Sequence, residues 1–528
     1  MLFQDNDKLL REDDSNIDGD ASEGITTQPT TANTMMPMSP IVASATVINL
    51  ILATGPFSYP YAFTSLGPVL SLIILLITSV LSYISSTFIV EVISSANAVR
   101  SQGRLATLFP EQSYATPQKQ MKFNEKDLGH KTSPYYIRQK IELGKLVETF
   151  CPYWIKIAVM IILVIYMYGA MCLKYASGAE SFVQAVSYTI YNSPDEWTNK
   201  SAFDPYYIGI IIFGGLSLTF SFGNIENAKI LQIVTGILRL IVIIFLYGGT
   251  LFYLGKDGVQ AAPVFDGPSI AKNLATSFGN TVFVFIFHHS ISGVVYPIRP
   301  QTQIKRMFLT SHIIGTFLLG LEGKIIYLNQ QNKIGLMAFL AFSGIDHNCG
   351  GGNPYPCRVS KLFNENFVNI PFIGQVCNFY PMLNVSSVPV ITITLRNNLM
   401  EMIPIKQWLS KSSFRAARFM AEDQRRIVKG LWSIILSAPV IVAVMFLRDP
   451  QSFIQYTGGL CGTFILFIIP LTITWHARRR DVEKTYGYNF NKSPFQHPIY
   501  MILIGTYAFL TLGFVITGLV LSSGGGGH

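Results

Sequence analysis

VINLILATGPFSYPYAF (residues 47–63) and FVFIFHHSISGVVYPI (residues 283–298) are each about as long as a membrane span, and each is interrupted midway by glycine, proline and polar residues. In a bilayer the N–H and C=O groups freed by such a break have no water to bond. Irregular backbone therefore survives there only inside protein or against a cavity. Thr54-Gly55-Pro56-Phe57-Ser58-Tyr59-Pro60 echoes Ser292-Gly293-Val294-Val295-Tyr296-Pro297, and two interrupted spans at corresponding places in two halves are the sequence pointer to a transporter's substrate site.

The composition around these segments is that of a polytopic membrane protein. Of 528 residues half are hydrophobic and only 13% are charged, outside the range of ordinary soluble domains. Eleven apolar runs of span length begin near residues 41, 68, 153, 206, 229, 273, 306, 371, 429, 453 and 497. The net charge of +9 is no sign of nucleic acid, because the basic residues lie in loops between spans. They concentrate in loops 98–150, 399–428 and 476–496, and the opposite loops carry few. The positive-inside rule then places the amino terminus in the cytosol and, with eleven spans, the carboxyl terminus and its short tail (523–528) on the far side of a transmembrane domain covering 41–522.

Residues 1–40 are rich in Asp, Ser, Thr and Met and are expected to be disordered, with no apolar core of a signal peptide. Asp5 to Leu10 (DNDKLL) fits the acidic dileucine pattern read by sorting adaptors, which points to an endolysosomal or vacuolar membrane as an alternative to the plasma membrane. Cys349 and Cys357 flank GGGNPYP in loop 345–370 on the non-cytosolic side, where a disulfide is expected. Cys151, Cys172, Cys377 and Cys461 read as small buried hydrophobes. Asn199-Lys200-Ser201 is a glycosylation sequon in a non-cytosolic loop, whereas Asn384-Val385-Ser386 lies within a span. In the seventh span a polar stretch, residues 324–335, separates LLGLEG from LMAFLAFSG. It reads either as an interhelix loop or as a retained short intron in the gene sequence.

Several polar residues fall inside spans, where they are costly and mark function. Thr54 and Gly55 precede Pro56, whose missing N–H prevents a regular helix. The freed N–H groups there suit a carboxylate, although a kink shaped only for packing is the plainer alternative. His288, His289 and Ser290 sit at the second break. Adjacent histidines point about 100° apart on a helix, so one senses a proton or substrate while the other bonds a neighbouring carbonyl, or both merely do the latter. No third ligand at suitable spacing accompanies them, so no metal is expected. Arg239 in mid fifth span cannot lose its proton. It either stands in for a coupling cation or ties two helices together. Lys174 is expected to snorkel toward the membrane surface. Glu322 becomes a partner for a cation if 324–335 is spurious. Ser386, Ser387, Thr392 and Thr394 give the eighth span a hydroxyl-rich face that either lines a cavity or satisfies its own carbonyls. No nucleotide loop, hydrolase triad or metalloprotease motif occurs, so binding and movement are expected rather than catalysis, with no cofactor.

Taken together, NLILATGPFSYPYAF, TFIVEVISSANA, ELGKLVETF, YMYGAMCLKYA, FHHSISGVVYPIRP, SSVPVITITLRNN and TGGLCGTFILFIIPLTITWHARR make the chain resemble the transmembrane protein 104 family. That family is a branch of the amino acid and auxin permeases in the amino acid, polyamine and organocation superfamily. The resemblance implies an all-α, LeuT-like fold: two inverted five-helix repeats with broken helices 1 and 6, and an eleventh helix appended. It also implies substrate binding at Thr54, Gly55, His289, Ser290 and Gly293, with Pro56 and His288 alongside, and an ion-holding role for Ser386 or Ser387 where sodium is used. A fixed cation at Arg239 implies operation without sodium. The expectation is thus a secondary transporter of amino acids or similar small zwitterions, coupled to protons rather than Na+. A sensor or scaffold of the same fold, signalling through its amino terminus and basic loop, is the alternative.

Overall fold

The structure, a computed structural model, describes residues 38–53, 55–66, 68–108, 133–193, 196–222, 229–257, 270–321, 362–367, 372–402, 405–422 and 425–524. Thr54, Glu322, residues 324–335, Cys349, Cys357 and the dileucine segment lie outside these. The described residues are helical, with no strand and one isolated β-bridge.

Each of the eleven expected spans falls on a helix or a broken helix. The first comprises Pro40–Ile51 and Gly55–Leu66. The next four are Pro68–Leu108, Tyr153–Tyr191, Pro205–Ser221 and Lys229–Asp257. The sixth comprises Ile270–Val284 and Ile291–Val295, and the seventh is Ile304–Leu321. The eighth comprises Ile373–Met382 and Ser387–Met402. The ninth is Arg426–Phe446, the tenth runs from Ile454 to Arg479, and the eleventh is Pro498–Gly524. Seven of these helices are long and apolar enough to cross a membrane unaided. Their outer faces are apolar as well: Ile157, Ile161 and Ile165, four residues apart on the third span, are all exposed, while Val159, Leu163 and Met167 are buried. Exposed isoleucine at helical spacing is what a lipid solvent requires.

The breaks have local causes. The first span opens on an N-cap, Ser39 accepting from the Val42 N–H at 3.4 Å, with Pro40 in the first turn. Its first half closes with the Leu52 N–H bonded to Ile48 O, and a new helix begins at Gly55 with Pro56 in a position that needs no donor. Met38, Ser39 and Pro40, assigned above to the disordered tail, are therefore part of the folded body. In the sixth span the ladder tightens before it fails, with the Phe285 N–H bonding Val282 O and the Ile286 N–H bonding Phe283 O. His288–Ser290 then form a 3-10 turn, and helix resumes at Ile291. Gly293 thus sits inside the second half rather than at the break.

The eighth span holds a further interruption that the sequence did not announce, a 3-10 turn at Leu383–Ser386 beyond Pro381. The tenth span carries π-helical turns over Ile454–Gly462, an arrangement often found at functional helices.

The second half of the first span packs on the first half of the sixth, and the first half of the first span packs on the seventh. Close approach is made by small residues, as expected where apolar burial no longer drives helix association. A Cβ on Gly55 would lie 2.7 Å from Leu319 Cδ2, and one on Gly458 would lie 2.9 Å from the Gly279 carbonyl oxygen of the sixth span.

Three connections stitch one end of the bundle. The Met38 N–H donates to Pro297 O at 2.8 Å and the Arg299 N–H to Met38 O at 3.0 Å, joining the start of the first span to the end of the sixth. The Gln301 side chain accepts from the Ile137 N–H and donates to Ile137 O at 2.9 and 2.8 Å. Asn97 Oδ1 accepts from the N–H groups of Arg138 and Gln139. The described parts of the basic segment 98–150 include helix: the second span's helix continues to Leu108, and Leu143–Phe150 is a helix that buries Leu143, Leu146, Val147 and Phe150.

Candidate functional site

The break of the first span, the fifth span and the turn of the eighth converge on Arg239. Its side chain is buried, at 2% exposure. Arg239 Nη1 donates to Asn49 Oδ1 of the first span at 2.8 Å, and Nη2 lies 3.5 Å from the Leu383 carbonyl oxygen. The guanidinium carbon stands 6.0 Å from the centre of the Tyr380 ring, within reach of a cation–π attraction. The Tyr380 hydroxyl in turn donates to Leu52 O, a carbonyl freed where the first half-helix ends. One turn before Arg239, Thr235 Oγ1 lies 2.8 Å from Ser386 Oγ. Of the two serines expected to hold an ion, Ser386 joins this network, and Ser387 is half-buried where the helix resumes.

Lys174 belongs to the same neighbourhood. The expectation that it snorkels is incorrect: it is 5% exposed and its Nζ donates to Asn384 Oδ1, in the eighth-span turn, at 3.3 Å. A buried amide partner, 210 positions away in sequence, holds the ammonium inside.

The two histidines diverge as helical geometry requires. His288 is buried, its ring 4.9 Å from that of Phe287, and Nε2 lies 3.3 Å from Ser82 O. Next to it stands His312 of the seventh span, buried, with Nδ1 2.8 Å from Phe308 O and Nε2 3.0 Å from Ser82 Oγ. A carbonyl only accepts, so His312 carries its proton on Nδ1 and receives the Ser82 hydroxyl at Nε2, while His288 donates from Nε2. His289 turns the other way, half-buried with its ring 5.5 Å from Tyr166 of the third span. His288 Nδ1 and His289 Nδ1 are both buried without a partner. Ser290 is half-buried in the turn. Gly293 is exposed, and a Cβ there would lie 3.5 Å from Lys140 Cε. Gly55 instead abuts Val284 and Leu319, so the structure does not bring the two glycines to one spot.

Asn49, Tyr380, Asn384 and His312 were missed from the sequence. For His312 the signal was present, a histidine in an apolar run. For the others nothing local distinguished them. Among the described residues no cluster of His, Cys, Asp and Glu could hold a metal ion.

Outside the spans, Asp204 caps the fourth span by accepting from the Tyr206 N–H at 3.0 Å and pairs with Arg448 at 2.5 Å. Burial alone would raise its carboxyl, but these two donors hold it below the usual carboxylate range.

A helical bundle whose broken spans meet over fixed polar groups is the architecture of a secondary transporter. Residues 36–342 match the model of the family described as transmembrane amino acid transporter protein, and the chain belongs to that family. It is also similar along most of its length to proteins named transmembrane protein 104: 24% identical over 517 residues to the Homo sapiens protein (90% of this chain, 95% of that one), and 25% over 524 residues to the Gallus gallus protein (92% and 97%). A homolog from Dictyostelium discoideum is 24% identical over 497 residues (87% and 92%). Among solved structures, MhsT in complex with L-phenylalanine aligns at a TM-score of 0.49 and 11% identity, covering 90% of this chain and 100% of that one. A Na+-coupled sialic acid symporter aligns at 0.38 and 12%, covering 91% and 96%.

Proposed function

We propose that the chain is a secondary active transporter of amino acids or similar small zwitterions, working by alternating access and coupled to protons rather than sodium. The observation that carries this reading is Arg239, a permanent cation bridging Asn49 of the first span and the Leu383 carbonyl of the eighth. A cation built into the protein between these helices takes over the charge that a bound metal ion would otherwise bring, and removes the need for one. The substrate carboxylate would meet the N–H groups at the start of the second half-helix, near Thr54 and Gly55. His289, half-buried beside Tyr166, is the imidazole placed to exchange a proton. Of the two roles weighed for Arg239, its grip on two helices also makes it a structural tie, and both roles are expected to operate.

The test is uptake into vesicles containing the purified protein, with an imposed pH gradient and with sodium replaced by choline. His289→Ala and Arg239→Ala are each expected to lower uptake at least tenfold while leaving the protein in its membrane. Undiminished uptake in both, or uptake that follows sodium and ignores pH, refutes the mechanism. Ligand binding without any flux, together with partner capture that depends on the amino terminus, would favour the sensor reading instead. Residence in an endolysosomal membrane is tested by Leu9→Ala with Leu10→Ala, which should move the protein to the cell surface if Asp5 to Leu10 is read by a sorting adaptor.

A further inference from the structure

Around the eighth-span turn the buried groups are unbalanced in a consistent direction. Lys174 and Arg239, 5% and 2% exposed, both reach this turn, one to Asn384 and the other to the adjacent Leu383 carbonyl. Neither forms an ion pair with a carboxylate among the described residues. The side-chain atoms left without partners here are Asn384 Nδ2 and Arg239 Nε, and Asn384 itself is fully buried. Both are donors. Two buried cations with spare N–H groups and no counter-charge are strongly unfavourable, and acceptors carrying negative charge are what would complete them.

We infer that Lys174, Arg239 and Asn384 form an anion-binding subsite that takes a single small anion, either the side-chain carboxylate of an acidic substrate, separate from the α-carboxylate met at the first-span break, or a co-bound chloride. The transporter reading is needed only for the first of these sources. Two basic side chains at one spot also set substrate class. A zwitterion brings no net charge to the pair, whereas an acidic amino acid, or a neutral one accompanied by chloride, brings one negative charge.

The experiment is thermal melting of the purified full-length protein in potassium gluconate at constant ionic strength, titrated separately with potassium chloride, potassium L-glutamate and L-glutamine. A saturable rise in melting temperature with chloride assigns the site to the inorganic ion; a rise with L-glutamate and not with L-glutamine assigns it to a substrate carboxylate. In either case Lys174→Gln should weaken the apparent affinity at least tenfold. Asn384→Asp, which places a carboxylate in the turn, should melt higher than the wild type in gluconate and lose the response. The inference is overturned if neither anion shifts the wild type beyond gluconate, or if wild type and both variants respond alike. Uptake of neutral amino acids that is equal in chloride and gluconate, and equal in Lys174→Gln, would leave the transporter reading standing and remove the subsite. Anion-dependent melting without flux of any amino acid would do the reverse.

Discussion

Replacing Glu91 with Gln should destabilise the bundle more than any other isosteric change in the second span. The Glu91 carboxylate receives Arg478 Nε at 2.8 Å and Nη2 at 2.9 Å, and the Ser493 N–H at 2.9 Å. Arg478 also reaches Phe495 O and lies over the Phe88 ring at 5.0 Å. This pair therefore ties the second span, the tenth span and the segment ahead of the eleventh. Side-chain exposures are 7% for Glu91 and 20% for Arg478. Removing one member of a buried pair costs about 3–5 kcal/mol. Because the stranded guanidinium still reaches water and Gln keeps an oxygen for Ser493, the lower end applies, about 3 kcal/mol. In a chain of 528 residues that is about 3 °C in apparent melting temperature. Arg478→Met strands the better-buried carboxylate and should cost about 4 kcal/mol. The assay is melting in detergent followed by the loss of monodisperse protein. Combining the two substitutions should melt above both single variants, since no unpaired charge remains. If the double variant melts at or below the weaker single, or Glu91→Gln shifts melting by less than about 1 °C, the ion pair is not what holds these elements together.

Asp204→Asn keeps the helix cap but removes the charge that faces Arg448. The folded-state carboxyl is held low, so the stability it contributes is present above the ordinary carboxylate value and lost as pH falls through the lower folded one. The variant should therefore be less stable at pH 7, by under about 1 kcal/mol because the Arg448 side chain is 44% exposed, and the gap to the wild type should close as melts are run at pH values falling through the lowered folded-state carboxyl. Gly458→Leu should prevent the sixth and tenth spans from closing, since its Cβ would stand 2.6 Å from Phe283 Cβ and 2.9 Å from a backbone oxygen; a large loss of folded protein is expected on size-exclusion chromatography, with Gly215→Leu, which has open space around it, unaffected. Asn199, exposed in the short helix Glu196–Lys200, should carry a glycan. Treatment with an amide-cleaving glycosidase should then increase gel mobility in the wild type and change nothing in Asn199→Gln.

What could be read from the sequence was whatever has a local cause. Pro56 lacks a donor wherever it stands, so the break in the first span was evident from a few residues. The eleven spans followed from apolar length alone. The break in the eighth span was not legible, because Leu383 and Asn384 are apolar and neutral in sequence and acquire their meaning only from Arg239 and Lys174, brought from the fifth and third spans. Lys174 was misplaced for the same reason: snorkelling is the default of a lone lysine near lipid, and a partner 210 residues later overrides it. At the sixth span the direction of divergence of His288 and His289 was predictable from helix geometry. That His288 faces Ser82 and His312, and His289 faces Tyr166, depended on the packing of other helices.

The short bridge at Met38 sets how freely the two broken helices can move apart. Two main-chain bonds, from the Met38 N–H to Pro297 O and from the Arg299 N–H to Met38 O, are each worth about 0.5–1.5 kcal/mol net, together about 1–3 kcal/mol. A fastening of that strength keeps the ends together most of the time, yet thermal motion releases it readily. Being made of backbone, it is also indifferent to side-chain substitution at Met38, so a proline there, which removes one donor and nothing else from the pair, is the change that would loosen it.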